Sequence, residues 1–239
     1  MTLFPEEGLA DWASPILSGA VTTLQIAFAA YAIGLLLGLV GAAARLSPWA
    51  PLRALATSYS TAVRAVPELL LIILLYYGGS QALTALMNAL GVDGQIEISG
   101  FVTAVGVLAF VQGAYMTEVF RGAILAIPKG QLEAADAYGF SPMARFRYIT
   151  LPGMLPNALP GMSNLWLILI KDTALISVIG FSELFFTVQQ AAASTRAYFL
   201  FYSVAGLLYL LMTLTSSAAF SRLERYVRRG EPDISAQEA

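Results

Sequence analysis

The chain has 239 residues, of which 58% are hydrophobic and only 12% charged, with a mean hydropathy of +0.71. A soluble domain carries about 25% charged residues, so half that value with several long apolar runs marks a membrane protein. The net charge of −2 implies no nucleic-acid partner, and the lack of Cys and His excludes disulfides, thiolate metal sites and imidazole catalysis by this chain.

The N-terminus, "MTLFPEEGLADW", is acidic where a cleavable leader would be basic, so membrane delivery is expected to rely on the first span. A spanning helix needs about 20 mostly apolar residues. Five segments qualify, at 16–44, 55–77, 101–127, 158–180 and 198–220. Their glycines and prolines are no objection, because membrane helices tolerate both. Gly34, Gly38 and Gly41 in the first span allow close helix packing, against a second subunit or within this one. Trp12, Trp49, Tyr76 and Tyr77 lie near span ends and read as interfacial anchors. Phe185, Phe186 and the aromatics of 198–202 read as packing or belt residues. The expected fold class is all-α, a single polytopic domain over 1–239, with a polar tail at 230–239 expected to be disordered.

Cations set the orientation. Arg45 and Arg53 separate the first two spans, Lys129, Arg145 and Arg147 the third and fourth, and Arg222, Arg225, Arg228 and Arg229 follow the fifth. With five spans these regions share one side, expected to be cytoplasmic, with the C-terminus there and the N-terminus outside. The other side carries Glu6, Glu7, Asp11, Asp93, Glu97 and Glu183, with Arg196 as its lone cation.

The loop at 129–152, "KGQLEAADAYGFSPMARFRYITLP", is a polar island in this apolar chain. Residues 131–138 are mostly good helix formers, and Gly139 suits the left-handed position that ends a helix. Ser141 is placed to cap a second helix, with Pro142 at its first position. That helix is expected to run to about Ile149 and to end at Leu151-Pro152. A plain solvated loop needs no such pair of capped helices. Glu133-Ala134-Ala135, then Gly139, Ile149 and Leu151-Pro152, resembles the EAA loop of bacterial ABC importer permeases, with every anchor at the family's spacing.

The resemblance extends over nearly the whole chain, to permeases for polar and basic amino acids of the histidine/lysine/arginine/ornithine type. "TAVRAVPELLLIILLYYG" is similar to their Arg-x-x-Pro segment at Arg64 and Pro67, with Ala65 where glycine is usual. "GAYMTEVFRGAILAIPKG" and "LIKDTALISVIG" resemble their third and fourth spans. The resemblance implies a type I ABC importer permease fold in the bacterial inner membrane. It implies two ABC ATPase subunits, with the loop docking into a groove on an ATPase, a second and similar permease chain, an extracytoplasmic binding protein, and an amino acid or a derivative such as an opine as cargo. The chain has two lysines, Lys129 and Lys171, and neither follows a glycine-rich loop, so a G-x-x-x-x-G-K-[ST] phosphate cradle is lacking. No cofactor is expected on this chain. ATP and Mg²⁺ belong to the partner.

Ionisable residues inside spans cost about 2.5–3.5 kcal/mol each on insertion scales and are functional candidates by default. Arg64 and Glu68 flank Pro67 four residues apart, a spacing that permits pairing on one helix face. Glu118 and Arg121 are similarly placed. Structural pairing, or snorkelling of the two arginines, accounts for these four as readily as transport does. Lys171 and Asp172 lie deep in the fourth span, ~20 Å from its expected inner end, and adjacent helix residues point about 100° apart. Lys171 is expected to receive a substrate carboxylate and Asp172 or Glu118 a cation, with hydrogen bonds from Thr173, Ser177, Gln112 and Tyr115. Gating or contact with the second permease are the other roles open to 171–177.

Two other function classes compete. A secondary transporter or channel would use Glu118 and Asp172 as a proton relay, leaving the 129–152 loop unexplained. An intramembrane enzyme would need an Asp/Glu or Ser/Lys pair, and no known motif places one here.

Overall fold

A computed structural model describes residues 6–89 and 99–230. Among them every regular element is helical. The expectations for Asp93, Glu97 and the tail beyond Gly230 concern positions outside the described residues.

Helix α1 runs over Glu6–Arg45, forty residues with Pro15 inside. At 1.5 Å per residue it is ~60 Å long, twice a hydrocarbon core. It lies along α4, Gly100–Leu125, which is buried along much of its length and forms the centre of the domain. A Cβ at Gly38 would strike Met116, and one at Gly41 would strike Thr117, both on α4. The glycine face of the first span therefore packs within this chain.

The expected second span is not one helix. It is α2, Ala50–Ala65, followed by α3, Glu68–Ala89, and the two axes meet at 114°. The break sits at Val66-Pro67. Proline disfavours the helical conformation at the residue before it, and Val66 is extended at φ −100°, ψ 139°. The pairing of Arg64 with Glu68 on one helix face thereby fails, because they belong to two helices.

The expected fourth span is longer than its apolar core. Helix α6, Pro142–Arg145, passes through a π-helical turn at Phe146–Thr150 into α7, Leu151–Asp172. The helix does not end at Leu151-Pro152 as expected. Pro152 follows the π-helical turn directly, and the wider winding of that turn accommodates a residue that lacks an N–H and whose ring a regular α turn would crowd. A 3₁₀ segment, Thr173–Ile179, follows and stops at Gly180, which is left-handed at φ 82°.

Between the fourth and fifth spans lies a helix the sequence reading missed, α8, Leu184–Thr195. It is too short to span, and its apolar face is buried against α1 and α9, the latter at Tyr198–Val227. Among the described residues, four helical stretches are long and apolar enough to cross a membrane, and five if the bent α2–α3 pair counts as one span.

Candidate functional site

The loop between α4 and α7 forms as two capped helices. Helix α5 spans Lys129–Ala137 and ends in a Schellman turn: the Phe140 N–H donates to the Ala135 carbonyl at 3.1 Å and the Gly139 N–H to that of Asp136 at 3.0 Å. Gly139 is left-handed at φ 76°, as the sequence requires. Ser141 caps α6, accepting from the Ala144 N–H at 3.2 Å. Arg145 in α6 donates from one nitrogen to both carboxylate oxygens of Asp136 in α5, at 2.7 Å each. Glu133 and Ala134 are exposed, Ala135 is buried, and Ile149 and Leu151 are half-buried. Around them the loop exposes Tyr138 (85%), Met143 (73%) and Tyr148 (65%). These apolar side chains were not singled out in the sequence. Their signal was being large and apolar within a segment otherwise polar.

At the same end of the molecule Glu118 is held by three groups. Arg45 at the end of α1 lies 3.1 Å from it, Arg121 donates at 3.0 Å and Ser60 of α2 donates at 3.1 Å. The Glu118–Arg121 pair follows the sequence spacing. Arg45 and Ser60 are additions from distant segments. The cluster fastens α1, α2 and α4 together.

The far end of α7 gathers a second polar group. Asp172 in its last turn lies beside Glu68 at the start of α3, with the two carboxyl groups in hydrogen-bonding reach. The Tyr115 hydroxyl of α4 reaches Glu68, and Arg64 lies near enough to act on Tyr115. The kink at Pro67 creates this grouping by swinging Glu68 away from the α2 axis. Of the residues expected at a substrate site, Asp172 and Tyr115 come together here.

The others are placed elsewhere. Lys171 lines a cavity of about 330 Å³ together with Ala174, Phe185, Tyr202, Ala205 and Tyr209, and its charge also acts on Asp172. Thr173 is fully buried and donates to the Ile170 carbonyl at 2.7 Å, and Ser177 donates to that of Ala174 at 2.7 Å. Gln112 is buried and donates to the Leu165 carbonyl at 3.1 Å, joining α4 to α7. Glu118 is engaged in its ion cluster. Glu183, expected from the sequence on the outer side, is fully buried at the start of α8. Among the described residues no group of acidic side chains is arranged to hold a metal ion.

Residues 30–229 match the family of binding-protein-dependent transport system inner membrane components. The chain belongs to that family. The permease is 42% identical over 219 residues to the octopine transport system permease protein OccQ of Rhizobium radiobacter, covering 92% of each chain. It is 42% identical over 210 residues to the histidine/lysine/arginine/ornithine transport system permease protein HisQ of Salmonella typhimurium, covering 88% of this chain and 92% of that one. The nopaline transport system permease protein NocQ of Agrobacterium fabrum is 41% identical over 224 residues, with 93% and 95% covered. Among solved structures, an amino acid ABC transporter crystallised with histidines matches at TM-score 0.78 and 31% identity, over 95% of the permease and all of that chain. The methionine transporter MetNI shares the fold at TM-score 0.69 and 18% identity.

Proposed function

We propose that this permease carries basic amino acids, or opines derived from them, inward across the bacterial inner membrane, driven by ATP hydrolysis on a separate subunit. Support for the cargo comes from the relatives' own systems, which are named for octopine, nopaline and the basic amino acids. The observation that carries the mechanism is one unbroken mechanical path. Helix α5 is clamped to α6 by Asp136 and Arg145, α6 runs without interruption into α7, and α7 ends at Asp172. From Pro142 to Asp172 that path is ~45 Å long.

On this reading α5 docks on the ATPase. Tyr138 and Met143 are its apolar anchors, and Glu133 and Ala134 lie on its exposed surface. The small side chains allow close approach, and the Schellman turn at Gly139 sets the angle between α5 and α6. Closure of the ATPases then moves the loop as a rigid body, and α7 transmits the displacement to the residues at its other end. Two ATPases and a second permease chain, related but distinct, complete the path, and a binding protein delivers cargo from outside. The loop end with its cations faces the cytoplasm, and the α8 end faces outward.

The carboxyl pair of Asp172 and Glu68 receives the guanidinium or ammonium of the cargo. A planar guanidinium offers several donors in a fixed fork, and two adjacent carboxyls with the Tyr115 oxygen supply the acceptors. Burying the cation at such a pair avoids the cost of an uncompensated charge.

The test is uptake by the complete transporter in proteoliposomes, with arginine compared against citrulline, its uncharged isostere. Asp172→Asn is expected to lower arginine uptake more than citrulline uptake. Equal losses for both would assign Asp172 to folding or gating and remove the cation site.

A further inference from the structure

Glu183 has no part in the transport path described so far, yet its carboxyl is fully buried and tied to three elements. Thr23 of α1 donates to it at 2.9 Å, the Phe186 N–H in the first turn of α8 at 2.9 Å, and the Tyr209 hydroxyl of α9 at 3.3 Å. Thr23 in turn accepts from the Leu184 N–H at 3.2 Å. The fit is close: a Cβ added at Gly19 would come within 3.0 Å of the Leu184 backbone. All three partners are donors, which suits a group that only accepts.

Capping α8 needs one acceptor, which a short Ser or Asp supplies. Reaching α1 and α9 as well takes a longer side chain with two oxygens. The Tyr209 hydroxyl, its proton given to Glu183, also lies against the Thr173 side chain, and Tyr209 borders the same cavity as Lys171 and Ala174 on either side of Asp172 and Thr173. Thr173 follows Asp172 directly, where α7 tightens from α-helix to 3₁₀. Glu183 is therefore two side chains removed from the carboxyl pair, through groups that leave little slack: Thr173 is completely enclosed and itself bonded to the Ile170 carbonyl.

We infer that Glu183 is a positioning residue for cargo recognition, fixing the end of α7 through Tyr209 and Thr173 so that Asp172 meets Glu68. This rests on the reading of Asp172 as the cation site. A structural cap alone would stabilise α8 without altering which cargo is preferred. A positioning residue acts on the preference, and only while Asp172 carries its charge.

The experiment uses the permease–ATPase complex in nanodiscs without the binding protein, so that the site's own preference is read. Binding of arginine and of citrulline is measured by calorimetry. Glu183→Gln keeps the length and shape but turns an NH₂ toward a donor. It is expected to reduce the arginine-over-citrulline preference about threefold or more, a coupling of the size found for residues sharing one hydrogen-bond network. Tyr209→Phe removes only the link and is expected to shift the preference the same way, which serves if the first variant does not assemble. In an Asp172→Asn background neither change should shift it further. An unchanged preference in Asp172→Asn itself rejects the cation site. A preference lowered by Asp172→Asn but unmoved by Glu183→Gln and Tyr209→Phe, or shifts that add in full to that of Asp172→Asn, rejects the positioning role alone.

Discussion

Lys171 and Asp172 are neighbours in the chain with different surroundings: Asp172 meets Glu68, and Lys171 lines the cavity beside Tyr202 and Tyr209, near enough for its charge to act on Asp172. The separation follows from the turn of about 100° between successive helical residues. One cargo molecule bound at the carboxyl pair does not need the lysine. Lys171→Met and Asp172→Asn are accordingly expected to differ in their effect on cargo preference. Arginine preference should fall in the second and not in the first. If both variants lose the same preference, measured by competitive uptake, a single site spans the two faces.

Glu118 is expected to serve architecture. Glu118→Gln weakens its contacts with Arg45, Arg121 and Ser60. Charge-assisted hydrogen bonds contribute about 1.5–3 kcal/mol each. The melting temperature of the detergent-solubilised complex should therefore drop while cargo preference stays put. A changed preference with an unchanged melting temperature would move Glu118 from the helix clamp into the transport path.

At Gly139 a side chain has room, since nothing lies within 4 Å of an added Cβ, but the backbone is left-handed. Gly139→Val therefore costs about 1–2 kcal/mol of backbone strain without any clash. Relaxing that strain tilts α5 against α6. Transport and ATPase co-purification should decline with membrane insertion preserved, and Gly139→Asn, which tolerates the conformation, should retain most of both. Normal uptake by the valine variant would show that the angle does not matter.

Arg145→Ala tests the clamp separately. It frees α5 from α6 while leaving every loop cap in place. Exposed pairs contribute about 0.2–1 kcal/mol, so stability should scarcely move. Coupling of ATP hydrolysis to uptake should fall, and Asp136→Arg with Arg145→Asp should recover part of it. Unaltered coupling in Arg145→Ala would show that α5 transmits force without this pair.

Orientation is open to direct labelling, because the native chain has no cysteine. Ala193→Cys, exposed on α8, should react with an impermeant thiol reagent in intact cells, and Ser141→Cys only after lysis. Reaction of Ser141→Cys from outside would reverse the proposed topology and remove the docking role of the loop.

The sequence by itself determined the class, the five apolar stretches and the loop, because these depend on local composition and spacing. The caps at Ser141 and Gly139 were legible for the same reason: each is decided by the conformational limits of one residue and its nearest backbone bonds. Proline was legible only in part. Pro67 turned a span through 114°, while Pro152, Pro156 and Pro160 lie within a continuous helix. The difference lies in which neighbouring groups can satisfy the freed backbone. Distant pairings were not legible. Glu68 beside Asp172, Arg45 on Glu118, and Thr23 with Tyr209 on Glu183 each join segments whose separation in sequence says nothing of their distance in space. Only the packing of α1, α4, α8 and α9 brings them within reach, so only the tertiary structure distinguished a buried Glu183 from an exposed one.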